Sequence, residues 1–432
     1  MIKRKIIVIG GGPAGLMAAG QAALTGAEVL LLEKMDRAGR KLSITGKGRC
    51  NLTNEAHLED FLSHFGPKGR FLKPALSRFC TSELVDFFRR LGIPTVIERG
   101  GRIFPETNRA QDVVDALLRW ATSLRVALKY RSPARRLLCQ ENRITGLDVE
   151  PRFSGRRKNR EDRILHPADA VILATGGASY PATGSTGDGY SLAESLGHAI
   201  IPIRPALVPL ETKGDIAPRL QGLSLKNVRC TVWVDGRKKA DDFGEMLFTH
   251  FGLSGPIILT LSLFAVDALQ QGEKVVFAID LKPGLDHQKL DARLIRDFAS
   301  FKKRQIQTIL KEYLPSTLIP VCLDMTAISP DKRGGEITSE ERKRFRLWLK
   351  DFAFEIKGHR GFEEAIITAG GVDTQMVNPH TMESRLVKGL FFAGEILDVH
   401  ADTGGYNLQA AFSTGWLAGR SAAAYRAHPP NP

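Results

Sequence analysis

Three glycines spaced as Gly10-x-Gly12-x-x-Gly15, with Glu33 further on, make a set of residues suited to holding a dinucleotide. Gly10 permits a tight turn, Gly12 lets the backbone approach a pyrophosphate, and Gly15 lets a helix pack close to a strand. A helix entered through Pro13 and Ala14 turns its free N–H groups and positive dipole end toward the phosphates. Glu33 stands where a carboxylate accepts hydrogen bonds from an adenosine ribose. The spacing alone is a weak signal, so the elements around it decide. Lys5 to Ile9 reads as a strand, Leu16 to Thr25 as an Ala/Leu-rich helix, and Glu28 to Leu32 as a second strand ending at Glu33. A plain strand-turn-helix would not need three glycines and the carboxylate together.

The chain has 432 residues, of which 43% are hydrophobic, enough for a large core divided among two or three domains. Lys3-Arg4-Lys5 before an apolar run imitates a signal peptide, but three glycines and a proline break the run. It is therefore expected to be structure, not a targeting segment. No window has the 18 or more apolar residues of a membrane span. Cys50, Cys80, Cys139, Cys230 and Cys322 are scattered and lack C-x-x-C spacing, so neither a disulfide framework nor a metal site is expected. These features predict a reduced, cytoplasmic chain. Its 61 Lys and Arg against 47 Asp and Glu give a net charge of +14, a field suited to polyanions such as nucleic acid. A lineage-wide basic bias would give the same balance.

Both NAD and FAD use the opening motif, and residues far downstream separate them. Gly389 to Glu395 reads as a buried strand ending in Gly394 and a carboxylate. Asp402-Thr403-Gly404-Gly405-Tyr406-Asn407-Leu408-Gln409 then opens an Ala-rich helix. Flavoproteins of the glutathione-reductase-like class carry a similar strand–Gly–acid element whose acid binds the ribityl chain. Their next helix points its positive end at the flavin pyrimidine edge. Between the two ends, Ala168 to Gly177 reads as a strand running into a Gly turn, with Ala174-Thr175-Gly176-Gly177 at its end, and Thr186-Gly187-Asp188-Gly189 precedes another helix. These resemble cofactor segments of two-dinucleotide-fold and fumarate-reductase-type flavoenzymes. FAD is therefore expected, in an α/β Rossmann domain with an inserted β-rich plus helical domain.

Four longer signatures carry a family resemblance across most of the chain: Gly39-Arg40-Lys41-Leu42-Ser43-Ile44-Thr45-Gly46-Lys47-Gly48-Arg49-Cys50-Asn51-Leu52-Thr53-Asn54, Gly101 to Pro105, Gly244 to Pro256, and Gly404 to Gln409. Together they resemble the BaiN/RdsA family of FAD-dependent oxidoreductases. Lys47 stands where many relatives would have Gly. The resemblance implies FAD contacts from Gly10, Gly12, Pro13, Ala14, Gly15, Glu33, Lys34, Gly39, Arg40, Lys41, Thr45, Gly46, Ala174, Thr175, Gly176, Gly394, Glu395, Gly404, Gly405, Tyr406, Asn407 and Leu408. It also implies NADH or NADPH as a transient reductant, since no second nucleotide motif is present. The substrates associated with the family are uridine in large-subunit ribosomal RNA, reduced to dihydrouridine, and bile-acid enones. Ribosomal RNA or a pre-ribosomal particle is the expected partner, with no DNA or membrane; the oligomeric state is open. A ribosome-associated flavoprotein with a non-catalytic cofactor is a third reading.

Reducing a C=C bond needs a hydride and a proton on the adjacent carbon. By analogy with the fumarate-reductase class, Arg49, Cys50 and Asn51 would line the reaction site. Cys50 is the leading proton donor, with a buried structural cysteine as the alternative. His250, between aromatic neighbours, is a second donor, and Arg102 or Tyr406 would position a base.

The cofactor domain is expected at 1–203 and 363–432. The insertion divides into a β-rich domain at 204–283, with parts of 355–362, and a basic helical subdomain at 284–354. Strand-like pieces at 125–130, 134–138 and 143–149 read as a meander, and 151–163 as a basic surface loop. Thr338-x-x-Glu341 is a capping box opening a helix through Phe354. Lys302-Lys303-Arg304 and Arg342-Lys343-Arg344-Phe345-Arg346 suit either an RNA-backbone surface or solvated helix faces.

Overall fold

The computed structural model describes residues 3–150 and 164–425, so the basic loop at 151–163 lies outside them. The chain forms two units, Met1–Pro205 with Ile366–Pro432, and Ala206–Ala365.

The first unit begins with β1 (Lys5–Ile9), α1 (Pro13–Leu24), β2 (Glu28–Leu32) and α2 (Arg40–Gly48). A small antiparallel sheet of β3 (Thr53–Asn54), β4 (Thr95–Glu98) and β5 (Arg102–Pro105) surrounds α3 (Leu58–Ser63), α4 (Gly69–Leu76) and α5 (Thr81–Arg90) in sequence. Then come α6 (Ala110–Ser123), β6 (Ala127–Lys129), β7 (Ala134–Gln140), β8 (Arg143–Val149), β9 (Ile164–Pro167), β10 (Ala170–Leu173), α7 (Asp188–Glu194) and β11 (Ile200–Ala206). The expected meander is shifted. β6 joins the main sheet in parallel with β2, and the antiparallel trio is β7-β8-β9. The sequence pieces had the right composition, but parallel pairing to β2 is set by tertiary context.

The second unit contains β12 (Leu210–Thr212), α8 (Ile216–Arg219), β13 (Ser224–Val234), β14 (Arg237–Phe248), β15 (Gly252–Ser254), α9 (Pro256–Gln270), β16 (Val275–Asp280), α10 (His287–Ser300), α11 (Ile306–Leu310), α12 (Ile319–Thr326), α13 (Ser339–Lys350), β17 (Phe352–His359) and α14 (Gly361–Glu364). Its strands close a barrel in the order β12-β15-β14-β13-β16-β17. Asp235-Gly236, both at positive φ, turn β13 into β14. Thr338 Oγ1 accepts the Glu341 N–H at 3.2 Å, and Glu341 Oε2 accepts the Thr338 N–H at 2.9 Å, as the capping box requires. That helix ends at Lys350, short of Phe354, because Phe352, Phe354 and Ile356 alternate inward as β17. Leu290 and Leu294 from α10 and Phe345 and Leu349 from α13 share one core with Phe277 and Ile279 of β16. The helices are thus part of the barrel's core and not a separate subdomain. The basic run on α13 is partly neutralised: Arg342 and Arg346 pair with Asp291 at 3.2 and 3.4 Å, and Arg344 Nε donates to the Thr326 carbonyl at 2.7 Å.

Returning to the first unit, the chain adds β18 (Ile367–Val372), β19 (Leu390–Phe392) and α15 (Tyr406–Ala424). The main sheet runs β19-β10-β1-β2-β6, all parallel, with Ile6, Val8, Leu31, Ile172 and Phe392 buried. α15 packs on α1 through small residues: a Cβ on Gly415 would sit 2.4 Å from the Ala14 carbonyl oxygen, and one on Gly419 2.2 Å from that of Ala18. No helix among the described residues is long and apolar enough to cross a membrane.

Gly419→Leu should force α1 and α15 apart and cost ~1–3 kcal/mol, the usual range for overpacking. Gly284→Ala, at a position with open space, should leave the protein unaffected. Calorimetry tests this contrast, and equal melting temperatures for the two variants would contradict the packing.

Candidate cofactor site

β1 ends where Gly10 takes φ +104°, and a Cβ there would lie 2.4 Å from the Ala174 carbonyl oxygen. One on Gly15 would lie 1.9 Å from the Gly10 oxygen, so only glycine allows this strand-to-helix approach. Gly12 caps α1 with no side-chain hydrogen bond, Pro13 follows it, and a Cβ on Gly12 would meet nothing within 4 Å. The start of α1, with its first N–H groups, therefore has open space on the Gly12 side. Glu33 is fixed next to them: Oε2 accepts the Gly11 N–H and Oε1 the Met35 N–H, each at 2.8 Å. Both oxygens keep lone pairs for further donors.

Lys34 Nζ donates to Asp188 Oδ1 at 2.8 Å and Thr186 Oγ1 at 2.6 Å, tying β2 to the 186–189 turn. Gly39, at φ +72°, starts α2 and donates its N–H to the Gly11 carbonyl at 2.9 Å; Arg40 pairs with Asp36. Lys41 Nζ donates to Glu395 Oε2 at 2.7 Å and to Ser179 Oγ at 2.8 Å. Glu395 Oε1 accepts the Thr368 N–H at 2.8 Å. The predicted ribityl-binding acid is thus oriented by a predicted cofactor lysine. Ser179 and Thr368 complete the cluster, and no sequence signal marked either. Gly394, at φ +79°, donates its N–H to Thr414 Oγ1 at 2.9 Å.

α2 loses helical geometry at Thr45, Gly46 and Lys47, and the chain reverses so that the Cys50 N–H reaches the Thr45 carbonyl at 3.0 Å. Lys47 is exposed. Arg49 is occupied by Glu98 and by Asn108 Oδ1, and its guanidinium lies 4.3 Å from the Phe104 ring centroid. Cys50 has no exposed surface, and burial pushes its thiol up to about 12, with a hydrogen bond to Thr45 opposing weakly. Asn51 Oδ1 is buried without a partner and would lie 2.9 Å from a Cβ on Gly405. Such a Cβ would also lie 2.4 Å from the Thr53 carbonyl oxygen, so α15 begins pressed against this turn. Asn54, unassigned from sequence, donates Nδ2 to the Gly404 carbonyl at 3.1 Å.

Gly405 caps α15 without a side chain, and Tyr406 and Asn407 open the helix. Asn407 Oδ1 accepts the Ala401 N–H at 2.9 Å, clamping the approach to the helix, and Leu408 packs on the core. Ala174, its N–H bonded to Ile9 at 2.9 Å, brings Thr175 and Gly176 to the same end of the sheet. Thr175 Oγ1 is buried without a partner. Arg102 extends from β5 with its Nε donated to the Arg99 carbonyl at 3.1 Å. His250 belongs to the second unit, exposed in the turn between β14 and β15, with its ring edge on Phe251.

Two helix N-termini without side-chain caps, at Gly12 and Gly405, and two buried oxygens without partners, on Asn51 and Thr175, suit a long ligand with a phosphate centre and a polar ring system. These residues fit FAD.

A family model described as the HI0933-like protein Rossmann domain matches residues 4–421. The chain is 34% identical over 423 residues to a 3-dehydro-bile acid delta(4,6)-reductase of Clostridium scindens, covering 97% of this chain and 99% of that protein. It is 31% identical over 410 residues to a ribosomal RNA dihydrouridine synthase of Escherichia coli K12, covering 95% and 96%. The solved 3-ketosteroid-delta4-(5alpha)-dehydrogenase of Rhodococcus jostii RHA1 shares the fold, with a TM-score of 0.52, 16% identity, and 98% and 97% of the two chains covered. The fold and site define a Rossmann-type flavoprotein oxidoreductase. The chain belongs to the HI0933-like family.

Iodoacetamide at pH 8 should label exposed Cys139 and spare Cys50 in the folded protein. Modification of Cys50 without unfolding, read by peptide mass analysis, would contradict its burial. Because the folded thiol resists ionisation, its stabilising contribution is present below about pH 9. It is lost as pH rises further, because the unfolded thiol then ionises first.

Proposed function

We propose that this protein reduces a C=C bond conjugated to a carbonyl, using FAD and NADH or NADPH, and that its substrate is uridine in large-subunit ribosomal RNA. When bound, FAD supplies two-electron chemistry, accepting a hydride from the nicotinamide and passing one to an electron-poor carbon. The residues divide the work of holding it. The α1 N-terminus at Gly12, Pro13 and Ala14 binds the pyrophosphate, Glu33 the adenosine ribose, and Glu395, set by Lys41, the ribityl chain. Lys34, Gly39, Arg40, Thr45, Gly46, Ala174, Thr175, Gly176 and Gly394 shape the passage between them. The turn Gly404-Gly405-Tyr406-Asn407-Leu408 turns the positive end of α15 toward the ring, where it favours negative charge. Asn51 borders that turn. Cys50, next to Asn51 in the chain, is buried in the core as a neutral thiol.

Among the substrates, the observation that carries RNA is the net charge of +14. Phosphate contacts need Lys and Arg, and Lys302 and Lys303 are exposed on the second unit while the α13 run is partly paired internally. A second reading, a small-molecule enone, is favoured by the 34% identity to the bile-acid reductase. Uracil and such enones share the reactive unit, an alkene activated by a carbonyl, so one site chemistry serves both.

Anaerobic NADH or NADPH should bleach the bound flavin, and large-subunit RNA from a deletion strain should restore its colour. That RNA should also lack a dihydrouridine present in the parent, by nucleoside mass analysis. An unchanged dihydrouridine content would remove the RNA reading. Turnover on RNA should fall steeply between ~50 and ~200 mM salt, whereas turnover on a neutral enone should not.

A further inference from the structure

A hydride alone does not complete the reduction, and the thiol expected to lead in supplying the proton is poorly placed for it. Cys50 has no exposed surface. His64, just after α3, is different. Its Nδ1 lies 2.9 Å from Asp402 Oδ2, and its side chain is 33% exposed. Its ring stacks on that of Tyr406, with centroids 3.9 Å apart and planes 20° apart, and Phe61 meets Tyr406 in an edge-to-face contact with centroids 4.8 Å apart. Asp402 and Tyr406 flank the Gly404-Gly405 turn, which itself presses on Thr53 and Asn51. The imidazole is therefore anchored to the segment that opens α15, within the same unit as the candidate flavin residues.

The carboxylate fixes the tautomer: it accepts the hydrogen bond from Nδ1–H, leaving Nε2 as the nitrogen that exchanges a proton outward. Other charged or titratable groups here are Asp60, which acts with Asp402 on Tyr406, and Lys68, paired with Asp398 at 2.7 Å. Burial, with those two aspartates, raises the Tyr406 phenol and keeps it neutral.

We propose that His64, oriented by Asp402 and stacked on Tyr406, delivers the proton that accompanies hydride transfer to the substrate. This rests on the reductase reading above. In the step, the C=C π bond is lost. One carbon gains a hydride, with both electrons, from reduced FAD, and its neighbour gains H⁺ from Nε2 of His64. The neutral imidazole is reprotonated from water.

The test uses the FAD-loaded full chain, reduced anaerobically and mixed with large-subunit RNA from a deletion strain or, separately, with a conjugated 3-oxo steroid dienone. His64→Gln, which keeps a polar planar side chain, should slow flavin reoxidation ~10²–10⁴-fold, the usual contribution of a positioned acid. It should also change the pH profile of reoxidation relative to wild type. Asp402→Asn should slow reoxidation less and serves as the second variant should His64→Gln misfold. Independently of turnover, ¹⁵N-histidine spectra should show the His64 Nδ1–H form in wild type, its loss in Asp402→Asn, and a shift of the His64 signal when the dienone binds. Reoxidation by His64→Gln within threefold of wild type, with the same pH profile, overturns the assignment while leaving the reductase reading intact. A His64 signal that ignores both the Asp402 change and the added dienone also overturns it. A wild-type flavin that neither substrate reoxidises removes the reductase reading, and this assignment with it.

Discussion

The first unit depends on one steric constraint, the backbone contact among Gly10, Gly15 and Ala174. A single methyl group at Gly15 would fall 1.9 Å from the Gly10 carbonyl, and one at Gly10 would fall 2.4 Å from that of Ala174. Without those side chains, α1 can start directly above the β1 terminus, with β10 held parallel alongside. The helix then presents its first N–H groups at the end of the sheet, where Glu33 is already tied to Gly11. The positive end of α1 and the Glu33 carboxylate meet at one place because of that approach.

The same logic repeats at the other end of the chain. Gly405 must be glycine because the Thr53 carbonyl and Asn51 occupy the space of its side chain. α15 thereby begins against the turn that carries Arg49, Cys50 and Asn51, and it lies on α1 through Gly415 and Gly419. The Lys41–Glu395 ion pair joins α2 to the segment after β19, with both side chains only about one-fifth exposed (20% and 21%). A partly desolvated pair of this kind sets geometry more than it adds stability. Its service here is to hold one carboxylate in one orientation between Ser179 and Thr368.

Much of this was legible from local rules. The glycine spacing, the acid after β2, the capping box at Thr338 and the Asp235-Gly236 hairpin each rest on conformational preferences that a short segment carries alone. What was not legible depends on contacts between distant segments. Parallel pairing of β6 with β2, the shared core of barrel and helices, and the end of α13 at Lys350 were misread because composition does not reveal partners. At the site, Ser179, Thr368 and Asn54 act through hydrogen bonds to residues far away in sequence. His64 is invisible for the same reason, since its partner Asp402 lies more than 300 residues downstream. Cys50 illustrates the converse: its place in a signature suggested chemistry, and its burial indicates support.

The central claim is that the first unit holds FAD through residues from both ends of the chain. The most direct measurement is to purify the protein, denature it, and identify and count the chromophore released per chain. One FAD per chain, with a large loss in the Gly15→Val variant, is the predicted result. Colourless protein that takes up no FAD when the cofactor is added would contradict the account.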